Sequence, residues 1–574
     1  MTIKPSDVLL AKRSASFCGK QEPSEALNDC LQATRPCSVW APAPSKLAFF
    51  LVVAALAMLA ASCEVGPNYV TPKANVAGQW MENPAITNQP PDMAAVYWWR
   101  NFSDPVLNQL VTTACESNLS LQIAGVRILQ ARAQLNKSIG NLFPQQQGIS
   151  GQLNYARLDD GLVSQIPGIN RNYLADQTLF AATWEIDFWG KYRRGIESDR
   201  ATFLGSIASY DDAMVTLIAD VASAYINIRT LQERLQVEMQ NLDIQNESLR
   251  IATARFDAGE TSELDVQQAK TQLAQTEAQI PLLDETIRQD QNGLAVLLGE
   301  RPDQIDGQLT GPPRIPVAPT NVAVGIPKDL LRRRPDVQEA GLQAASLSAL
   351  IGVAKANLYP AFSLSGEFGF SANNEFNNSL SDMFNWQSRA LNAGAGLVMP
   401  IFNYGRIINQ VRVQDAQFEQ AVLNYQNTVL AAQQEVENGL TTFANEQKAL
   451  TSLNQAADSA RRSTDLAMIQ YKGGQTDYTT VLTAEQQELS VENAAASTKG
   501  NVALGLIAVY RALGGGWEVR GKSDVISDAI KAEMKRRTDW GRMLEPSHHL
   551  PEISPVASFS ETNNLSVQQT SAKP

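Results

Sequence analysis

The chain is poor in histidine, in positive charge and in cysteines that could pair. Of its 574 residues only His548 and His549 are histidines, side by side in a polar tail. A solvated dipeptide is the ordinary reading of such a pair, and no histidine remains elsewhere to serve as general base or metal ligand. No arrangement of nucleophile, base and orienting group is recognisable, so the sequence implies neither an enzyme nor a cofactor. Asp and Glu outnumber Lys and Arg by 59 to 47, for a net charge of −12. With no basic surplus to neutralise phosphates, nucleic acid is excluded as a partner. Charged residues make up 18% of the chain, below the roughly 25% of an average soluble domain.

Of the five cysteines, Cys18, Cys30 and Cys37 precede an apolar run, "LAFFLVVAALAMLAA", at 47–61. Fifteen apolar residues are too few to span a bilayer comfortably and fit the h-region of a secretory signal. The run ends at "ASC". Small residues before a cysteine are what a bacterial lipoprotein signal presents, with Cys63 as the lipidated first residue of the mature chain. Ala60 stands where leucine is usual, so an ordinary cleavage site beside a chance cysteine is the alternative. Glu64 follows in place of an inner-membrane-retaining aspartate, which points to the outer membrane. The 46 residues before the run are long for an n-region, and a start near Val39 would remove three cysteines. Loss of residues 1–62 takes the charge to −14 and leaves Cys63 and Cys115. No intrachain disulfide framework is then expected if Cys63 is acylated.

What the chain has in abundance is repetition. "NLFP" at 141 returns as "NLYP" at 357, so Pro144 matches Pro360 at an offset of 216. Gly190 matches Gly405, Gly259 matches Gly474 and Gly299 matches Gly514, all at an offset of 215. Four anchors in one order mean two copies of one unit of about 215 residues. Each copy holds two stretches of period-two alternation. In one, Phe180, Ala182, Trp184, Ile186 and Phe188 share a parity; Phe362 to Phe370 and Leu391 to Ile401 give two more, and "GISGQLNYA" from Gly148 a fourth. That is a strand signature at the length of a transmembrane strand. Four strands cannot close a barrel, so membrane strands here require an oligomer: eight strands from two chains, twelve from three. A soluble hairpin pair packed on helices is the alternative.

Lys191 to Asp257 and Arg406 to Lys472 contain no proline. Ile207, Tyr210, Met214, Leu217, Val221, Ala224, Ile228, Leu231 and Leu235 step by threes and fours, as do Val422, Tyr425, Val429, Ala432 and Val436. The spacing predicts coiled-coil helices roughly 100 Å long. Gly259 and Gly474 would end them in left-handed turns, and Ser262 with Asp265 resembles a capping box for the next helix. "LGGGW" from Leu513 lacks a phosphate loop's lysine and reads as a helix stop. "RRR" at 332 leads into a proline-started helix and reads as a solvated or lipid-facing edge.

Six blocks, "CEVGPNYVTP" at 63, "WWRNFSDPVL" at 98, "WEIDFWGKYRR" at 184, "RRRPDVQEA" at 332, "MPIFNYGR" at 399 and "VYRALGGGW" at 509, resemble those of the TolC-like outer-membrane efflux proteins, lipoprotein branch. The resemblance covers Cys63 to about Trp517. It implies a mainly α protein with a transmembrane β-barrel portion: a homotrimer whose twelve-stranded barrel continues as an α-helical barrel through the periplasm. It further implies a lipid-anchored, passive exit duct for drugs or other toxic small molecules, served by a periplasmic adaptor and an inner-membrane pump. A protein-secretion duct shares the fold, and a structural coiled-coil lipoprotein explains the heptads but not the strands.

Closure in this family is attributed to the helix tips, where second-repeat aspartates form an acidic ring. The matching positions here are Thr480 and Thr483, which departs from that pattern. Asp477, Glu263 and Asp265 are the acidic tip candidates, and for the last two helix N-terminal charge is the plainer reading. The division expected is a signal region 1–62, an extended lipidated segment 63–103, repeats 104–315 and 316–517, and a polar, disordered tail 518–574.

Overall fold

The computed structural model describes residues 64–81, 96–159, 171–319, 332–374, 380–521 and 524–545. The signal region, Cys63, His548 and His549 lie outside the described residues. The first repeat runs α1 (Pro105–Ser117), α2 (Leu119–Gly140), β1 (Gln146–Arg157), β2 (Asn172–Ile186), α3 (Lys191–Asp257) and α4 (Glu263–Leu297). The second runs α5 (Pro335–Ala356), β3 (Ala361–Asn373), β4 (Arg389–Val398), α6 (Arg406–Lys472) and α7 (Tyr478–Ala512), followed by a short α8 (Asp528–Arg537).

Each "NL-aromatic-P" sits where expected. α2 ends at Gly140 and β1 starts at Gln146; α5 ends at Ala356 and β3 starts at Ala361. Proline cannot donate the next helical bond, so the helix stops and an extended chain begins. The four strands form one antiparallel sheet in the order β1-β2-β3-β4. Across it Ile149, Phe180, Phe368 and Leu391 are in register, so the apolar parities of all four strands fall on one face.

α3 and α6 are 67 residues each, roughly 100 Å at 1.5 Å per residue. The glycines that open them, Gly190 (φ 78°) and Gly405 (φ 80°), turn the chain from strand to helix in the left-handed conformation. Ile207, Tyr210, Met214, Leu217, Val221 and Ile228 of α3 are buried, as are Tyr425, Val429, Ala432 and Val436 of α6. One stretch of α3 is apolar enough to cross a membrane, but 61% of it is buried inside the protein. It is a core stripe of the bundle.

The repeats share a joint about midway along the long helices, where Tyr225 and Arg229 of α3 and Glu435 of α6 lie. Asn118 caps α2 and donates from Nδ2 to the Leu297 carbonyl at the end of α4, 2.9 Å away. At the corresponding place Arg334 donates from Nη1 to the Ala512 carbonyl at the end of α7, 2.6 Å away. Arg334 also reaches Asp336 and Glu435, each at 2.8 Å. The expectation of a solvated or lipid-facing edge is therefore corrected for this residue: three acceptors from three helices surround it, and it is 7% exposed.

The expected disorder of the tail is corrected over its described part. Val525, Ile526, Met534 and Leu544 join the main apolar core, and Arg520 is bonded to Asp211 of α3 at 2.7 and 3.2 Å. Few but well-spaced apolar side chains suffice here, because they dock on a core already built by α1, α2 and α3.

Candidate gate at the helix tips

The hairpins α3–α4 and α6–α7 end in the same device. Gly259 (φ 74°) and Gly474 (φ 69°) are left-handed. The Glu260 amide donates to the Arg255 carbonyl and the Gln475 amide to the Gln470 carbonyl, both at 2.9 Å. These are the long-range bonds of a Schellman stop, which satisfy carbonyls a helix end leaves unpaired.

The capping box expected of Ser262 and Asp265 does not form. Ser262 has the backbone angles of a cap but makes no side-chain cap bond. The Asp265 carboxylate instead accepts from the Thr261 hydroxyl and from the Tyr471 hydroxyl at 3.2 Å. Tyr471 lies in the last turn of α6 and is 1% exposed. A buried phenol needs an acceptor, and that demand outweighs a local cap. Arg255 lies 4.6 Å from the centre of the Tyr471 ring, donates to the Tyr471 carbonyl and sits 3.5 Å from Glu260. Tyr478 meets Tyr471 edge-on at 5.4 Å, within an apolar cluster that includes Ile251, Val266 and Val481. Tyr471 thus ties the second hairpin to both helices of the first.

The other tip candidates are dispersed. Glu263 is exposed and accepts from the Gln267 amide at 3.2 Å. Asp477 is an exposed N-cap residue without a side-chain cap bond. Thr480 accepts from the Thr476 hydroxyl at 2.9 Å, and Thr483 donates to the Thr479 carbonyl at 2.8 Å. Both threonines line a shallow groove of ≈ 530 Å³ with Ala460, Ser463 and Gln487. At the offset of 215, Thr480 stands where the first repeat has Asp265. The register therefore carries an acid in one half only.

Sequence reasoning missed Arg255 and Tyr471, and it missed a buried acidic ladder above them. Glu485, Glu488 and Glu492 of α7 are 0%, 5% and 6% exposed; Glu485 and Glu492 face Ser248 and Asn241 of α3, and Glu488 is hydrogen-bonded to Thr464 of α6. Ser248 donates to Glu485, Asn241 donates to Glu492 at 3.1 Å, and Arg461 of α6 reaches Glu492 at 2.5 Å. Burial pushes the Glu485 carboxyl up to about 7; the Ser248 bond opposes the shift and the nearby Glu488 charge adds to it. A signal existed in the sequence. Tyr478, Val481, Glu485, Glu488 and Glu492 step by threes and fours, so the apolar seam runs straight into the carboxylates.

Residues 110–300 and 326–515 match a family described as outer membrane efflux protein. Nodulation protein T of Rhizobium leguminosarum bv. viciae is 29% identical over 82% of this chain and 94% of its own length. The toluene efflux pump outer membrane protein TtgC of Pseudomonas putida is 30% identical over 81% of this chain and 95% of its own. The solved outer-membrane channel OprN is similar at a TM-score of 0.73 and 31% identity, over 79% of this chain and 100% of that one. With both of its repeats matched in order, the chain belongs to the outer membrane efflux protein family and is an outer-membrane channel of a tripartite efflux system.

Proposed function

We propose that three copies of this chain close into one duct, a twelve-stranded barrel over a helical barrel, and that the Tyr471 tie holds the periplasmic tips shut. The observation that supports this most is a pair of unlike free edges in both layers. In the sheet β1 and β4 each lack a neighbour on one side among the described residues, and lipid does not tolerate open strand edges. Among the helices α7 packs on both α6 and α3, while α4 packs chiefly on α3. Leu282 and Val296 of α4 and Val413, Leu423 and Leu430 of α6 are left exposed. Unlike edges meet head to tail, which generates a ring, and three copies bring the strands to the even twelve of a closed barrel.

In this reading the duct is passive. An inner-membrane pump supplies the energy, a periplasmic adaptor loosens the tips, and an acyl chain on Cys63 anchors the assembly. The cargo is small toxic molecules, the class to which TtgC's toluene belongs. The test is the mass of the detergent-extracted protein together with conductance in a planar bilayer. A trimer with a mostly closed pore supports the reading; a monomer without conductance overturns it. Cys63→Ser should abolish incorporation of labelled palmitate, and label retained in that variant would sink the anchor assignment.

A further inference from the structure

The two faces of the sheet differ in charge as well as polarity. Strand register puts Ile149, Phe180, Phe368 and Leu391 on one face with Trp184, Leu364 and Leu397. The opposite face carries Ser150, Gln152, Asn154, Gln177, Thr183, Ser363, Ser365 and Asn392. In a membrane barrel the apolar face meets lipid and the polar face lines the lumen. On that polar face the four strands hold two charged residues, Glu185 and Glu367, and no Lys or Arg. Glu185, at the helical end, is paired with Lys191 at 3.1 Å and accepts from the Tyr192 hydroxyl at 2.9 Å. Glu367 stands mid-strand between its cross-strand partners Ala181 and Asn392. Its carboxylate has no hydrogen-bond or ion-pair partner among the described residues, which leaves its charge uncompensated.

We infer that Glu367 is the charge filter of the barrel: three copies form a ring of carboxylates in the lumen that favours cationic over anionic permeants. The inference rests on the trimeric reading above. Twelve strands about 4.8 Å apart and tilted about 40° close on a radius of roughly 12 Å. Carboxylates projecting inward from that wall are then on the order of 14 Å apart. The screening length is about 30 Å at 0.01 M salt and about 3 Å at 1 M. The ring's field therefore fills the lumen in dilute salt and collapses onto the wall in concentrated salt.

The test is the reversal potential of the full-length protein in planar bilayers under a tenfold KCl gradient, at low and at high salt. Wild type should favour potassium in dilute salt and less so in concentrated salt. Glu367→Gln should lower the potassium-to-chloride permeability ratio at least twofold, and Glu367→Lys should reverse the preference. An unchanged ratio in the lysine variant with trimer mass intact overturns the filter and leaves the duct standing. A monomer without conductance overturns the trimeric reading itself. A second measurement does not need the tips to open. Ser365→Cys, on the same face two residues away, should react from outside the cell faster with a cationic than with an anionic methanethiosulfonate, and Glu367→Gln should remove that preference. Equal rates, or no labelling by either reagent, contradict the assignment.

Discussion

The return helices α4 and α7 have the same length, 35 residues, and the same place in the repeat, yet they do different work. α4 lies on one flank of α3, contains Pro281 and leaves Leu264, Leu282 and Val296 exposed. α7 lies between α3 and α6 and buries three glutamates. Duplication copied the length and the turns; what diverged is which helix became an edge and which an interior wall. A proline is tolerable at an edge, where the unmet carbonyl can reach water. Within a wall the same residue would leave that carbonyl stranded.

The sharpest way to break this contrast is to move the proline. Ala496 of α7 corresponds to Pro281 at the offset of 215. Ala496→Pro should cost about 3 kcal/mol or more and abolish the detergent-stable assembly, while Pro281→Ala should leave assembly intact. Circular dichroism melts and mass of the two variants decide it; equal behaviour would erase the distinction between edge and wall.

A second lever is pH. Glu485 is held up to about 7 in the packed seam, against an ordinary value of 4.5. A carboxyl whose folded value is raised binds a proton more tightly when packed. The packed seam is therefore unburdened at pH 4.5 and below, and it bears a growing cost as pH rises through about 7. At pH 8 that cost is on the order of 3 kcal/mol. Hydrogen exchange at residues 245–252 and 482–489, corrected for intrinsic rates, should be slower at pH 5.5 than at pH 8. Glu485→Gln should flatten the difference, and a difference that persists in it would place the titration elsewhere. The corresponding residue of α4, Lys270, is exposed, so exchange in α4 should not follow this pattern.

The smallest expected effect concerns the tips. Tyr471 has Phe256 as its first-repeat counterpart, and Phe256 is 41% exposed. Tyr471→Phe removes the bond to Asp265 and should cost roughly 1.5–3 kcal/mol, the range for a hydrogen bond to a charged group. It should also raise sensitivity of cells to large antibiotics that enter through an opened duct. Phe256→Ala should change neither. If both variants behave alike, the tie is not what holds the tips.

Much of this was legible because the signals were local or repeated. The ends of α3 and α6 fall where proline-free, glycine-bounded segments placed them, since helix stops depend on a few neighbouring residues. Strands that are weak individually were readable because the parities recur in both halves. What could not be read are contacts between residues far apart in the chain: Asp265 with Tyr471, Arg334 with Ala512, Arg520 with Asp211. Asp265 looked like a cap and Arg334 like surface because local pattern assigns a polar side chain its nearest role, while a buried partner some 180 to 310 residues away assigns it another. Glu485 was passed over for the same reason, although its spacing lay on the seam.

The order of the strands also sets an order of assembly. β1 and β2 are joined by residues 158–171 and β3 and β4 by 374–388, so each hairpin can close on its own. The central seam cannot, because Ile186 of β2 pairs with Phe362 of β3 across one long helix, its return and α5. Closing so long a connection costs ~2 kcal/mol more than closing a hairpin loop, and contacts of this separation form slowly. Until the second half is available, the edge of β2 that pairs with β3 therefore stays unmatched. In that interval the chain is most exposed to aggregation, and the folded helices shorten the search by bringing Ile186 and Phe362 to one end of the rod.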